Sequence, residues 1–245
     1  MSTEPAGAWK ADSPRANGFA MTRLVDALRC GRVLLMDGAM GAELMKVGLV
    51  PPSSAEIWNL SNPDAVRRVH AEYVSHGACC LLANTFLARA TAHDSSITPE
   101  MDWARVIKAG VELARAECQP GGFVLGAVGP PVTTGRPSAC DEIAGIRWQL
   151  AQLQEAGADG ILLETQSSLT ALGEVLVERK PMVPLLLSFA FRMTPAGPML
   201  VDLNEGPEEA AKFADRWSDA VIALGVNCGR EMSLKAVCDV LRSYR

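Results

Sequence analysis

Short apolar segments alternate with longer segments of helical periodicity along most of this 245-residue chain, and this alternation limits the folds that the chain can adopt. Brief runs of Val, Leu and Ile are typical of strands covered on both faces, as in a parallel sheet joined by crossover helices. Six such units can be counted. The predicted strands cover residues 33–36, 80–86, 123–128, 160–164, 183–189 and 221–226.

The segments between these strands carry helix signals. Asn62 stands as an N-cap residue before Pro63 at the first helical position, and Gly77 ends the same helix. The order of strand and helix therefore predicts a βα repeat. Further helix starts are predicted at or near Pro99, Ser138, Leu169, Pro207 and Met232.

The predicted fold class is α/β, a (β/α)8 TIM-barrel type. Residues 21–245 supply about six βα units of one barrel domain, fewer than the eight of a complete barrel, so we expect an incomplete or truncated barrel. The outer strands of an open sheet are exposed edges that favour pairing between chains. We therefore expect a homo-oligomer through the open barrel edges. Residues 1–20 are rich in Ala, Pro, Gly and Ser, which predicts a disordered N-terminal tail.

Charge and composition exclude some classes of partner. The net charge of -5 and the absence of a basic stripe argue against nucleic acid binding. No apolar run approaches the roughly 20 residues that cross a bilayer, so we expect no membrane association. Seven cysteines without regular spacing or a secretory leader indicate a reducing compartment, and we expect a cytoplasmic protein.

Polar residues stand where the predicted strands end. In barrels of this type the chemistry gathers at the carboxyl ends of the strands. One thiol and two carboxylates are thus expected to converge on one face. The residues at these ends are Asp37 and Gly38, Asn84, Glu164, and Asn227 followed by Cys228.

The polar strand ends also have structural interpretations. Asp37 precedes a glycine, which is common turn chemistry, so it could instead cap the helix that begins near Ala39. Asn84 and Asn227 could serve only to tie strand ends together. Glu164 directly follows three apolar residues, and a poorly solvated carboxylate needs a cation or hydrogen-bond donors. This position favours a functional role for Glu164.

Cys228 admits three interpretations, as a metal ligand, as a nucleophile, or as a small core residue. The adjacent Cys79 and Cys80 lie at the start of the second strand, about 15 Å from the carboxyl end at roughly 3.3 Å per residue. We therefore assign Cys79 and Cys80 to the core and keep Cys228 as the candidate for chemistry.

Three histidines and one further cysteine are weaker candidates. Cys140 and His93 lie in or beside loops that open on the carboxyl face, where either could substitute as a metal ligand. Cys140 is also expected in the first turn of a helix, where the dipole lowers the pKa of a thiol. His70 and His76 lie on or just after a helix, and packing accounts for both.

These strand-end residues belong to a set of motifs that resembles the homocysteine S-methyltransferase family. The resemblance rests on the order of the whole set, since no single motif is as specific as the series. The motifs are Asp37-Gly38-Ala39-Met40-Gly41, Glu56-Ile57-Trp58-Asn59-Leu60 with Asn62-Pro63-Asp64, Val69-His70 and Tyr73, then Asn84-Thr85-Phe86, Gly129-Pro130, Leu163-Glu164-Thr165 and Gly225-Val226-Asn227-Cys228.

The resemblance implies a zinc-dependent barrel methyltransferase that moves a methyl group from a small donor to homocysteine, a step of methionine biosynthesis. It implies that Cys228 is the first of three cysteine ligands of Zn²⁺, which would stabilise the substrate thiolate. It further implies that Asp37 and Glu164 hold the amino acid part of homocysteine and that the backbone at Gly38 receives its carboxylate. Asn84 and Asn227 are counted with these substrate-binding residues.

The family's other two zinc ligands are an adjacent Cys-Cys pair in a Gly-rich motif at the end of the last strand, and no such pair follows Cys228 here. Three hypotheses remain open. The first is a homocysteine methyltransferase that is truncated or completed by another chain. The second is a non-catalytic relative that binds an amino acid and has lost the complete zinc site. The third is a different barrel enzyme that uses Cys228 as a redox or nucleophilic thiol without a metal.

Overall fold

The computed structural model describes residues 20–51, 53–92, 101–132, 138–177, 183–201, 205–227 and 232–244. Several predictions concern residues outside these ranges. One is the disordered tail, up to residue 19. The others are His93 as a metal ligand, Pro99 as a helix start, and Cys228 as a metal ligand or nucleophile.

Strands and helices alternate along the described residues, as the sequence pattern predicts. The strands are β1 (Cys80–Ala83), β2 (Phe123–Val128), β3 (Gly160–Gln166), β4 (Leu185–Thr194), β5 (Gly197–Leu200) and β6 (Val221–Asn227). The helices are α1 (Ala20–Arg29), α2 (Met40–Lys46), α3 (Trp58–Ser61), α4 (Pro63–Ser75), α5 (Trp103–Glu117), α6 (Ala139–Glu155), α7 (Leu169–Val177), α8 (Pro207–Asp215) and α9 (Leu234–Ser243), with a 3-10 turn at Ala90–Ala92.

The strands form one sheet whose parallel order is β1, β2, β3, β4 and β6. This order confirms the predicted α/β class. Met36 adds a parallel bridge to Cys80 on the outer side of β1. The predicted first strand at 33–36 is therefore wrong in extent, because it reduces to this bridge. Val33 is 91% exposed, so its apolar side chain has no core to bury in.

The sheet departs from the prediction at β4, which runs on past residue 189 and turns back as an antiparallel hairpin with β5. Gly197 has φ +111°, a conformation that favours glycine. The Thr194 hydroxyl accepts from the Ala196 N–H at 3.2 Å and donates to the Gly197 carbonyl at 2.8 Å. Pro195 and Gly197 were the local signals for this turn.

The helix starts agree closely with the sequence signals. Ser138 caps α6, and its hydroxyl and the Asp141 carboxylate form a reciprocal capping box. α7 and α8 begin at the predicted residues, whereas α9 begins at Leu234, two residues after the predicted Met232. Asn62 stands at the N-cap of α4 but makes no side-chain capping bond. No helix in the described ranges is both long and apolar enough to span a bilayer.

The two faces of the sheet bury different apolar clusters. Alternate strand residues such as Leu81 and Val124 pack against the flanking helices in the main core. On the opposite face, Leu24 of α1 packs against Cys80 and Phe123 near the starts of the strands. The amino ends of the strands are thus covered by apolar side chains, which leaves the carboxyl ends for polar residues.

Gly126 offers a test of how tightly this core is filled. A Cβ at Gly126 in β2 would lie 2.6 Å from both terminal carbons of the buried Leu153 in α6. We expect Gly126→Ala to lower the free energy of unfolding by about 1–3 kcal/mol through overpacking. A Cβ at Gly173 in α7 would meet only one atom, at an ordinary 3.5 Å. Gly173→Ala is expected to stabilise by about 0.5–1 kcal/mol. Urea denaturation measures both, and equal midpoints for the two variants would contradict the packing described.

Candidate functional site

Asp37 lies at the carboxyl side of the bridge to β1, with a side chain that is only 2% exposed. Its carboxylate oxygens accept from the Leu82 N–H at 2.9 and 3.1 Å, and its own N–H donates to the Cys80 carbonyl at 3.0 Å. The interpretation of Asp37 as a helix cap is therefore wrong. The N-cap of α2 is Ala39, which makes no side-chain capping bond, and the Asp37 carboxylate is turned toward β1 instead.

His70 contacts Asp37, and the sequence alone does not predict this contact. Its side chain on α4 is fully buried, and its Nδ1 lies 3.6 Å from Oδ2 of Asp37. The assignment of His70 to packing is correct as to burial but omits this contact. A signal was present, because His70 stands four residues after the buried Val66 and so interrupts an otherwise apolar helix face.

Gly38 follows Asp37 and lies exposed beneath α4. A Cβ at Gly38 would lie 2.8 Å from Oη of Tyr73, so a larger residue there would have to displace the Tyr73 ring. Burial raises the pKa of Tyr73, and the charges of Glu43 and Asp37 raise it further. Tyr73 thus borders the same acidic site as Asp37.

Asn84 follows β1 and is buried. Its amide nitrogen donates to the Ala55 carbonyl at 2.8 Å and to Oδ1 of Asn59 at 2.9 Å. Both amide hydrogens are therefore used inside the protein. These bonds agree with the interpretation that Asn84 ties strand ends together, and any contact with a substrate would have to use its Oδ1. Substrate binding by Asn84 stays a prediction.

Glu164 lies in β3, where the pairing with β4 shifts register between Leu163 and Gln166. Such bulges redirect side chains and are frequent beside active sites. The next residue, Thr165, has φ +58°, which is rare for a β-branched residue. Burial raises the pKa of Glu164, while a hydrogen bond from Asn227 lowers it and the charge of Asp37 raises it. Glu164 is a half-buried carboxylate, as its apolar neighbours predicted.

Asn227 ends β6 and connects it to β3 and β4. Its Oδ1 accepts from the Thr165 N–H at 3.0 Å and from the Ser188 hydroxyl of β4. Its Nδ2 donates to Oε1 of Glu164 at 3.2 Å. Because Oδ1 accepts from two donors, the orientation of the amide is fixed by its partners. Asn227 therefore holds Glu164 and the adjacent Thr165 in place. A direct contact of Asn227 with substrate stays a prediction.

The loops beside this face are fastened by a buried ion pair. Arg89, fully buried after β1, contacts Oε2 of Glu142 at 3.1 Å and donates to Oε1 of Gln149 at 3.0 Å. It also donates to the Pro130 carbonyl at 2.8 Å, and the Val132 N–H donates to Glu142 at 3.0 Å. Removing one partner of such a pair is strongly destabilising. The ion pair thus joins the loops after β1 and β2 to α6.

The cysteines that the structure describes differ in burial, and Cys140 as a substitute metal ligand stays a prediction. Burial raises the pKa of the Cys80 thiol well above its usual range, as expected of a core residue. Cys79 is half-buried, and Cys140 is exposed in the first turn of α6. Within the described ranges, no group of three or more His, Cys, Asp or Glu side chains is placed to hold a metal ion. These residues alone therefore do not make a zinc site, and Cys228 lies outside them.

The described residues thus define an α/β barrel-type sheet with Asp37 and Glu164 at its polar end, where the charge of Asp37 raises the pKa of Glu164. The model of the homocysteine S-methyltransferase family matches residues 34–244. The chain belongs to the homocysteine S-methyltransferase family.

Individual relatives agree with this membership. The homocysteine S-methyltransferase of Escherichia coli K12 is 29% identical over 223 residues, covering 80% of this chain and 69% of that protein. The metallated form of the homocysteine methyltransferase MmuM from Escherichia coli is 25% identical, with a TM-score of 0.70 over 89% of this chain and 81% of that one. Its oxidized form is also 25% identical, with a TM-score of 0.69 over 92% and 81%. The predicted barrel-type fold is confirmed, whereas the homo-oligomer and the cytoplasmic location stay predictions.

Proposed function

We propose that this chain binds homocysteine and transfers a methyl group from a small donor to its thiol, giving methionine. Family membership supports the reaction class. The observation that carries the proposal is the placement of two carboxylates of low exposure, Asp37 and Glu164, at the carboxyl ends of the strands, where the charge of Asp37 raises the pKa of Glu164. A cation between the two carboxylates would stabilise both of them.

In this proposal the cation is the ammonium group of homocysteine. An ammonium between Asp37 and Glu164 offsets both the burial of the two carboxylates and their mutual repulsion. Asp37 is held by the Leu82 N–H, and Glu164 is held by Asn227, so both would meet the ammonium in fixed positions. The exposed backbone at Gly38 would receive the substrate carboxylate. These contacts would direct the thiol of homocysteine away from α1, which covers the amino ends of the strands.

We further propose that Cys228 supplies one ligand to a zinc ion. When bound, zinc acts as a Lewis acid that keeps the substrate sulfur as a thiolate near neutral pH. The existence of a metallated form of MmuM supports a metal in this family. Cys228 directly follows Asn227 in the sequence, so the hydrogen bonds of Asn227 fix the chain up to the residue before the proposed ligand.

The test is methionine formation by the purified chain with Zn²⁺, homocysteine and a panel of sulfonium and quaternary ammonium methyl donors. We expect Asp37→Asn to lower kcat/KM for homocysteine by about 100-fold, because the ammonium group of homocysteine would lose one of its two proposed carboxylate partners. Asp26→Asn, at an exposed position of α1, is the matched control and should leave the rate unchanged.

Direct binding distinguishes the competing hypotheses. If the chain binds homocysteine in calorimetry but forms no methionine with any donor, the amino-acid-binding relative is favoured. If the chain neither binds homocysteine nor forms methionine, the proposed function is wrong.

A further inference from the structure

We infer that His70 is a positioning residue for Asp37, and that its Nδ1–H donates to Oδ2 of Asp37 when the ammonium group of the substrate binds. The inference rests on the proposed function, because it concerns how the Asp37 carboxylate meets homocysteine. It depends on the burial of His70, on the lack of another partner for its ring among the described residues and on the direction from which the ring approaches.

His70 is an unusual polar group for the inside of a helix interface. Its side chain is fully buried on α4, beside Val66 and Val69 of an apolar cluster. Neither ring nitrogen has a hydrogen-bond partner among the residues that the structure describes. Leaving a buried donor or acceptor without a partner is unfavourable, and most such groups in proteins are satisfied. A leucine would fill this position without that penalty, so the imidazole requires another explanation.

Asp37 supplies that explanation, since Oδ2 lies 3.6 Å from Nδ1 of His70. This distance is too long for a hydrogen bond. Hydrogen bonds that act in catalysis are often long in ligand-free structures and shorten in the substrate complex. A movement of about 0.5 Å would bring this pair into range.

The geometry of the carboxylate shows what the second donor would add. Both oxygens of Asp37 accept from the single N–H of Leu82, which holds the carboxylate from the side of β1. His70 approaches Oδ2 from α4. Two donors from different elements would prevent rotation of the carboxylate about its Cβ–Cγ bond. The ammonium of homocysteine would then meet a carboxylate of fixed orientation, which lowers the entropic cost of binding.

The experiment compares His70→Leu with His70→Asn, since the amide nitrogen of asparagine can take the place of Nδ1. His70→Leu is expected to weaken homocysteine binding and to raise its KM by about tenfold or more, the effect of losing a hydrogen bond to a charged group. Its kcat should stay within about threefold, because His70 does not touch the reacting atoms. His70→Asn is expected to recover most of the lost affinity.

A second ligand isolates the role of the ammonium. 4-Mercaptobutanoate has the thiol and carboxylate of homocysteine but no ammonium, so its calorimetric affinity should be the same for His70→Leu and for the wild type. Equal weakening of both ligands would mean a structural role and would overturn the inference, as would wild-type homocysteine binding by His70→Leu. If the wild type itself fails to bind homocysteine, the proposed function fails first and the inference falls with it. If His70→Leu does not fold, His70→Asn is compared with His70→Gln, whose longer side chain moves the amide nitrogen away from the position of Nδ1. His70→Gln should then bind homocysteine more weakly than His70→Asn.

Discussion

Replacing Glu164 by glutamine is expected to lower kcat/KM for homocysteine by about two to three orders of magnitude while raising the free energy of unfolding of the ligand-free chain. The loss of activity follows from removing one charge that the proposed function places against the substrate ammonium. Breaking a buried charge pair by removing one partner costs about 3–5 kcal/mol. Since about 1.36 kcal/mol corresponds to tenfold in rate, this range covers the expected loss.

The gain in stability has a different cause. Burial raises the pKa of Glu164 above its ordinary value of 4.5, and the charge of Asp37 adds to the shift against the opposing hydrogen bond from Asn227. Between the ordinary and the raised pKa, the folded state binds more protons than the unfolded state. The free energy of unfolding therefore falls as the pH rises through this interval and stays lower above it. A glutamine carries no charge, so this decrease should disappear.

The glutamine also keeps the local hydrogen bond. Its Oε1 can still accept from Nδ2 of Asn227, as Oε1 of Glu164 does at 3.2 Å. Glu174→Gln, at an exposed position of α7, is the matched control and should change neither activity nor stability. Urea denaturation at several pH values between 4 and 8 measures the stability term. A variant that is both fully active and less stable than the wild type would contradict the proposed role of Glu164.

The fold could be predicted because each unit is encoded locally. A buried strand such as β2 has apolar residues on both faces, and α6 carries its own capping signal at Ser138. The first strand is shorter than predicted because an apolar run forms a strand only where partners cover it, and Val33 is 91% exposed. The sequence does not predict the hairpin of β4 and β5, because Pro195 and Gly197 indicate a turn but not which strand pairs after it.

The candidate site could be predicted only where residues follow strand ends. Asp37 and Glu164 were found by this rule. The contact of His70 with Asp37 was missed, because a histidine on an apolar helix face gives no sign of which distant side chain it meets. The positive φ of Thr165 also cannot be predicted from the sequence, since a β-branched residue disfavours this conformation. Its conformation depends on Asn227, which is 62 positions away in the sequence.

Asn227→Ala is expected to lower the free energy of unfolding by about 2–4 kcal/mol, because its amide satisfies several groups at once. The Thr165 N–H and the Ser188 hydroxyl would lose their acceptor, and Glu164 would lose its donor. Asn62→Ala is the matched control, since the Asn62 side chain makes no capping bond. We expect that control to stay within about 0.5 kcal/mol of the wild type in urea denaturation.

Asn227→Ala should also lower kcat/KM for homocysteine by about 100-fold, because the position of Glu164 depends on the backbone of the adjacent Thr165. Thr165 at φ +58° stores about 1–3 kcal/mol of backbone strain, which persists only while surrounding contacts maintain it. Without the acceptor on Asn227, the backbone of Thr165 is free to return to the β region. Glu164 would then move away from Asp37, and the ammonium group would lose one of its two proposed partners.

Two further variants separate support of the backbone from support of the carboxylate. Ser188→Ala removes a single donor to Asn227, so it should cost no more than about 1 kcal/mol of stability and little activity. Asn227→Asp keeps an acceptor for the Thr165 N–H but places a second negative charge against Glu164, where like charges raise a carboxylate pKa. Its activity should therefore fall more steeply at low pH than that of the wild type, while its strand ends stay ordered. If Asn227→Ala were as stable and as active as Ser188→Ala, the network would not hold Glu164 in place.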